Sequence, residues 1–198
     1  MNNQQRRGLV FVISGPSGVG KDALIDRLVA RDPDLQRSVS FTTRHPRPGE
    51  KDGVDYSFVN REKFDRLVAG DELLEHASYD GNLYGTSRDR VDALRKAGSD
   101  AILKIDVKGA QQVRRRLPDA TFIFISPPSM AELLRRSSQR HTESAEEQSA
   151  RQMIAETEMK YASHYDYEVM NDDLDRAVDE LKGIIDQVRA SHATASSK

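Results

Sequence analysis

The sequence predicts an α/β protein in which a parallel sheet is flanked by helices. The continuous apolar run at residues 9–13 has the pattern of a strand covered on both faces, and residues 101–105 and 121–125 are two more strand candidates. A glycine-rich turn joins the first run to a helical pattern, and a helix-like stretch at residues 109–116 separates the other two. Strands that alternate with helices along a chain are typical of βαβ units and therefore of a parallel sheet.

The composition predicts one globular domain spanning residues 1–198 and excludes several classes of protein. The 198 residues allow a substantial core, and 31% of them are charged. The formal net charge of −2 favours neither a nucleic-acid partner nor an anionic membrane. Cysteine is absent, which excludes disulfides, thiolate catalysis and cysteine-ligated metal.

Neither a membrane anchor nor a targeting segment is expected. No apolar run approaches the roughly 20 residues of a membrane span. The first seven residues are polar and lead directly into the first apolar run, so the sequence predicts no signal peptide. A cytoplasmic location fits these features.

An inserted segment at residues 41–86 differs in character from the predicted core, which comprises residues 8–40, 87–128 and 163–190. The segment is rich in Gly, Asp, Tyr and Arg and contains short strand candidates at residues 56–59 and 73–77. This pattern predicts a small α+β subdomain.

The C-terminal third is predicted to hold a helical lid at residues 129–162. Capping-box patterns at residues 129–132 and 144–147 each predict a helix start. The polar, basic stretch between them, residues 135–142, is predicted to be the mobile part of the lid. A strand is expected at residues 167–170 and an amphipathic helix at residues 174–188. The last residues, 191–198, are expected to form a tail without regular structure.

The turn after the first strand has the pattern of a phosphate loop, G-x-x-x-x-G-K, which identifies the core as a P-loop NTPase type. Its glycines allow backbone N–H groups to surround phosphate oxygens, and Lys21 adds a positive charge at the start of a helix. A strand-to-helix turn that merely contains glycines is the alternative, but the lysine in register disfavours it. The residues predicted to bind ATP here are Gly15, Pro16, Ser17, Gly18, Val19, Gly20, Lys21, Asp22 and Ala23.

Asp22 stands where the pattern has Ser or Thr, whose hydroxyl binds Mg²⁺. A carboxylate is also a hard oxygen ligand, so Asp22 is the predicted metal ligand. Lys104 and Asp106 are two apart on a predicted strand and should share a face. We hypothesise that Asp22 and Lys104 form a charge-exchanged pair; the alternative is that Lys104 reaches solvent at the strand end.

The inserted segment resembles the nucleotide-monophosphate domain of guanylate kinases, and the resemblance extends from Val10 to about Ala177. It rests on residues 40–50 (SFTTRHPRPGE), 53–58 (GVDYSF) and 81–86 (GNLYGT), together with Glu75. The resemblance implies transfer of a phosphoryl group from ATP to GMP or dGMP, directly and in line, with Mg²⁺. It names ATP and GMP as partners, with no nucleic acid and no membrane, and leaves monomer or homodimer open.

The chemistry of the acceptor suits the residues that the resemblance assigns to it. A phosphate dianion needs converging cations and hydroxyls, and guanine presents N1–H and N2–H donors that a carboxylate can accept. Taken singly, any of the arginines could be a solvated surface charge. The assigned residues are Arg44, Arg47, Tyr56 and Tyr84 for the phosphate, Glu75, Ser40 and Thr86 for the base, and Asp106 for the acceptor nucleotide or the metal shell.

The remaining assignments concern phosphoryl transfer and the adenine of ATP. With Lys21 and Arg44, the catalytic set includes three lid arginines, Arg136, Arg140 and Arg151. His141 replaces a glycine of the family pattern, and Lys104 replaces an acid. Asn171 matches the position that reads adenine, or alternatively caps the helix that follows.

Two rival functions remain open at this level. Ribose 1,5-bisphosphate phosphokinase is similar in having Gly-Lys-Asp in its loop, but it has no use for a guanine-reading carboxylate such as Glu75. A non-catalytic guanylate-kinase-like interaction module typically lacks the loop lysine and lid arginines, which are present here.

Overall fold

The computed structural model describes residues 6–79, 81–138 and 145–195 of the chain. These residues divide into two compact units that interleave along the sequence. The first unit comprises the chain up to Val10 and Asp34–Ala120, and the second comprises Phe11–Pro33 and the chain from Thr121 onward.

The described regular elements follow one another in the predicted alternation. The strands are β1 (Val10–Ser14), β2 (Leu35–Arg37), β3 (Phe41–Thr42), β4 (Ser57–Phe58), β5 (Leu73–Tyr79), β6 (Asn82–Ser87), β7 (Asp100–Lys104), β8 (Thr121–Ser126) and β9 (Tyr167–Met170). The helices are α1 (Lys21–Arg31), α2 (Arg61–Ala69), α3 (Arg88–Lys96), α4 (Val107–Arg116), α5 (Met130–Ser138), α6 (Ala145–Met159) and α7 (Leu174–Ala195), with a 3-10 turn at Ala162–His164.

The second unit contains parallel strands, as the apolar runs predict. β1 pairs with β8 and β8 pairs with β9, all parallel. Every residue of β1 is buried, because a central parallel strand is covered on both faces. Helix α7 lies against α1, where Arg189 donates to the buried Asp32 carboxylate at 2.6 Å.

The first unit contains a parallel pair, β2 with β7, and a separate four-stranded sheet of order β4-β3-β6-β5. In this sheet β3 runs parallel to β4 and antiparallel to β6, and β5 runs antiparallel to β6. Phe41 and Leu73 of this sheet pack with Phe64 and Leu67 of α2 to form a hydrophobic core. Residues 41–86 thus have the α+β composition that the sequence predicts.

The first part of the predicted helical lid is helical in the structure. Helix α5 begins after Ser129, whose Oγ accepts from the Glu132 N–H at 3.1 Å, and continues through Ser138. Arg135 and Arg136 are good helix formers and both donate to Glu132 one turn earlier. The rest of the stretch, with the Ser144 cap, lies outside the described residues.

The expected C-terminal tail is also partly helical, which corrects the prediction for residues 191–195. Helix α7 runs to Ala195. Alanine has the highest helix propensity, and the hydroxyls of Ser191 and Thr194 donate back to the carbonyls of Gln187 and Ala190. In the described part of the chain, no helix is long and apolar enough to cross a membrane.

Candidate active site

At two positions of the phosphate loop, the backbone conformation and the neighbouring atoms leave room only for glycine. Gly15 has φ +146°, and a Cβ there would lie 2.2 Å from the carbonyl oxygen of Ile125. Gly20 precedes α1 with φ +98°, and a Cβ there would lie 2.6 Å from Nδ2 of Asn171. The sequence pattern therefore corresponds to a strand–turn–helix with the backbone shape of a phosphate cradle.

Lys21 lies inside the curve of this loop rather than extending into solvent. Its Nζ donates to the carbonyl oxygens of Gly15 at 2.5 Å and Pro16 at 3.0 Å. The ammonium group is thereby placed beside the loop backbone. Asp22 and Ala23 follow in the exposed first turn of α1.

Asn171 is tied to the loop by its side chain. Its Nδ2 donates to the carbonyl oxygen of Val19 at 2.7 Å, and the residue is buried. The alternative that Asn171 caps the next helix is wrong, because Asp173 does so by accepting from the Arg176 N–H at 2.9 Å. A side chain three residues before the first helical residue is too far away to cap it. Adenine recognition by Asn171 stays a prediction.

Of the three predicted lid arginines, the structure describes the side chain of Arg136. Its Nε donates to Glu132 at 2.7 Å and its Nη1 donates to the carbonyl oxygen of Asn171 at 3.0 Å. Hydrogen bonds from Arg135 and Arg136 lower the pKa of Glu132 to about 2. Arg140 and His141, and the side chain of Arg151, lie outside the described residues.

In the first unit, Arg44 is held by Glu50, a residue that the sequence prediction missed. Nη2 of Arg44 donates to both Glu50 oxygens, at 2.8 and 3.0 Å, and Nη1 donates to the carbonyl oxygen of His45 at 2.7 Å. Glu50 also accepts from the backbone N–H of Arg47, whose side chain is exposed. These hydrogen bonds lower the pKa of Glu50 and raise that of Arg44. The only sequence signal was an acid within the same segment as both arginines.

Tyr56 and Tyr84 lie beside Arg44. The Arg44 guanidinium is 5.5 Å from the centre of the Tyr56 ring, and the Tyr56 and Tyr84 rings meet edge to face at 5.9 Å. Nζ of Lys104 lies 5.9 Å from the Tyr56 ring, and Lys104 is half-buried, so it is not a solvent-extended strand-end lysine. The hypothesis that Lys104 pairs with Asp22, a residue of the second unit, stays a prediction.

Glu75, in the first unit, is a deeply buried carboxyl group with a raised pKa. It is 4% exposed, and its Oε1 accepts from the Thr86 hydroxyl at 2.7 Å. Burial raises the pKa of Glu75 to about 7, and the negative charge of Asp106 adds to the rise. Strands β5 and β6 place Glu75 directly opposite Thr86. This hydroxyl and carboxylate form a polar pair with acceptor capacity remaining on the carboxylate.

Asp106 and Ser40 each take part in a hydrogen bond that supports the local backbone. Asp106 is the N-cap of α4 and accepts from the Gly109 N–H at 2.7 Å. Ser40 is half-buried, and its carbonyl oxygen accepts from the Ser57 N–H at 2.8 Å. Among the described residues, no cluster of three acidic or histidine side chains could hold a metal ion.

Comparison with known proteins extends over nearly the whole chain. A family model described as guanylate kinase matches residues 7–188. A guanylate kinase of Desulfitobacterium hafniense (strain Y51) is 48% identical over 92% of this chain and 91% of its own. One of Alkalilimnicola ehrlichii is 49% identical over 89% of this chain and 87% of its own.

The chain also resembles proteins of known structure. The crystal structure of guanylate kinase from Anaplasma phagocytophilum has a TM-score of 0.75 at 34% identity, and the match covers 94% of this chain and 87% of that chain. The SH3-kinase fragment of tight junction protein 3, at 15% identity and a TM-score of 0.50, shares the fold alone. The loop, the buried carboxylate and these matches together place the chain in the guanylate kinase family.

Proposed function

We propose that the enzyme transfers the γ-phosphoryl group of ATP to GMP, giving ADP and GDP. The observation that carries the proposal is Glu75, a buried carboxylate that accepts one hydrogen bond from Thr86 and has further acceptor capacity. Guanine supplies two adjacent N–H donors, whereas adenine would leave the carboxylate unpaired at a cost in binding. The assigned acceptor residues address base and phosphate, so the proposal extends to dGMP.

Arg44, Arg47, Tyr56 and Tyr84 are the proposed ligands of the GMP phosphate. The support is that Arg44, Tyr56 and Tyr84 lie together, with Arg44 already oriented by Glu50. Arginine suits a phosphate because its planar donors match two oxygens at once. Ser40 and Asp106 are proposed as further contacts to the nucleotide.

The phosphate loop, from Gly15 to Ala23, is the proposed site for the ATP phosphates, and Asn171 for its adenine. Backbone N–H groups, the dipole of α1 and the ammonium group of Lys21 all favour negative charge there. On ATP binding, Lys21 would exchange its two carbonyl acceptors for phosphate oxygens.

Asp22 is the proposed Mg²⁺ ligand. An exposed carboxylate in the first turn of α1 fits the preference of this ion for hard oxygen donors and retained waters. Bound there, Mg²⁺ would neutralise negative charge on the ATP phosphates. The extra negative charge of Asp22, compared with a Ser or Thr, is the reason to test this residue separately.

The proposed mechanism is direct in-line transfer without a covalent enzyme intermediate. The GMP phosphate is largely ionised at neutral pH, so it can attack without a general base. Arg136, Arg140 and Arg151 are proposed to stabilise charge on the transferring group, and closure of the lid to exclude water as a competing acceptor. ATP and GMP as substrates favour a cytoplasmic role in purine nucleotide metabolism.

One experiment tests the acceptor directly. ADP release from ATP and Mg²⁺ is followed with GMP, dGMP, AMP, UMP or ribose 1,5-bisphosphate as the acceptor. We expect turnover with GMP and dGMP and little with the others. Turnover with the sugar bisphosphate alone, or binding of GMP without turnover, would overturn the proposal in favour of one of the two rivals.

A further inference from the structure

We propose that Gly109 is a positioning residue for guanine recognition, because its missing side chain provides the space in which the Glu75 carboxylate lies. This inference rests on the proposed role of Glu75 as the acceptor for the guanine N–H groups. Gly109 lies in the first turn of α4 and would itself make no contact with the nucleotide. It would act by fixing where the carboxylate is.

A Cβ atom at Gly109 would overlap the Glu75 carboxylate in its present position. A Cβ built on its backbone would lie 2.8 Å from Oε2 of Glu75 and 3.2 Å from its Cδ. The next nearest atom, Oδ1 of Asp106, would be 3.4 Å away, an ordinary contact. The conflict is therefore specific to the Glu75 carboxylate.

The opposite side of the carboxylate is fixed as well. The Thr86 hydroxyl donates to Oε1 at 2.7 Å from the neighbouring strand. One oxygen is thus held by Thr86 and the other lies against the backbone of Gly109. A shift of the carboxylate away from an added methyl group would therefore change the geometry of its hydrogen bond to Thr86.

The fold alone gives no reason for glycine at this position. The φ of Gly109 is not in the left-handed region, and alanine is the better helix former. The N–H that donates to Asp106 would be retained in an alanine. The atoms that an added methyl group would displace are the end of a flexible side chain. Substitution should therefore move the carboxylate and leave the fold intact.

The test compares Gly109→Ala with Gly183→Ala. Gly183 lies in α7, and a Cβ there meets nothing within 4 Å, so the control makes the same chemical change in open space. We expect Gly109→Ala to raise KM for GMP about tenfold, the effect of losing one well-placed charged hydrogen bond, with KM for ATP within about twofold. The melting temperature of Gly109→Ala should stay close to that of the parent, because the gain in helix propensity opposes the cost of a disturbed hydrogen bond to Thr86.

The preference for GMP over inosine monophosphate is a useful second measurement, because a general loss of folded protein would not change it. Inosine monophosphate lacks the 2-amino group of GMP, so a correctly placed carboxylate should favour GMP over it. Gly109→Ala should reduce this preference, whereas Gly183→Ala should preserve it. An unchanged preference together with an unchanged KM for GMP would overturn the inference.

A double-mutant comparison separates this inference from the proposed role of Glu75. In a Glu75→Ala background no carboxylate remains to be displaced, so Gly109→Ala should have no further effect on KM for GMP. The same fold-change in both backgrounds would contradict the inference. If Glu75→Ala leaves KM for GMP unchanged, the proposed role of Glu75 fails. If Glu75→Ala impairs GMP binding and Gly109→Ala does not, only the positioning role fails.

Discussion

Nη2 of Arg44 donates to both carboxylate oxygens of Glu50, at 2.8 and 3.0 Å. The same carboxylate accepts from the backbone N–H of Arg47 at 2.8 Å. A single acid therefore orients one of the two arginines proposed to bind the GMP phosphate and anchors the backbone of the other. Its negative charge also partly offsets their positive charge, so its contribution to affinity has to be measured.

Removal of Glu50 should weaken GMP binding selectively. Glu50→Ala removes the acceptors that hold Arg44 and the Arg47 backbone. GMP binding must then order both groups, which costs conformational entropy. We expect KM for GMP to rise roughly tenfold with KM for ATP unchanged, from the loss of a charged hydrogen bond. Glu62→Ala, which removes an exposed acid from α2, controls for net charge. A lower KM for GMP would mean that Glu50 competes with the phosphate for Arg44.

Glu75 should make the stability of the protein fall as pH rises. Its pKa is raised from 4.5 to about 7 by burial, so the folded state keeps a proton that the unfolded state releases. This cost begins near pH 4.5 and is complete above pH 7, where it reaches about 3 kcal/mol.

Glu75→Gln removes this titration and should therefore stabilise the protein at pH 8 while having little effect at pH 5. Urea unfolding of parent and variant at both pH values measures the difference. Glu180→Gln, at an exposed position on α7, is the matched control. A stability difference for Glu75→Gln that is the same at pH 5 and pH 8 would contradict the prediction.

Asn171 should affect ATP binding through the phosphate loop. Asn171→Ala removes the donor to the Val19 carbonyl and should cost about 1–2 kcal/mol of stability while raising KM for ATP several-fold. Asn60→Ala, which removes the cap of α2, should cost about 1 kcal/mol and leave KM for ATP unchanged. Thermal unfolding and the two KM values provide the comparison. If both variants have the same KM for ATP, Asn171 stabilises the fold but does not affect ATP binding.

Asp22 should set the magnesium requirement. If its carboxylate binds the ion, Asp22→Ala should raise the Mg²⁺ concentration for half-maximal activity about tenfold, and Asp22→Ser should restore part of it through the hydroxyl. Asp26→Ala, one helical turn along α1, removes the same charge from outside the loop. Identical magnesium curves for parent and Asp22→Ala would exclude Asp22 as a ligand.

The elements that the sequence predicted correctly are those set by local pattern. The continuous apolar run that became β1, the glycines of the loop and the cap of α5 by Ser129 all depend on residues close together in the chain. The error occurred where local patterns compete. Polarity indicated irregular backbone at residues 191–195, but α7 continues through them, since alanine favours the helix.

By itself, the sequence determined the fold class and the phosphate loop, because strand patterns and glycine positions are local properties. The acceptor residues stay predictions that rest on the family resemblance. Only the tertiary structure revealed Glu50 behind Arg44, the carbonyl of Val19 beneath Asn171, and Gly109 against Glu75. Glu50 is one of several acids close to Arg44 in the sequence, and nothing in the sequence singles it out. Val19 and Asn171 are 152 positions apart, and Glu75 and Gly109 are 34 positions apart. Contacts of this kind arise from packing between elements, and no spacing along the chain encodes them.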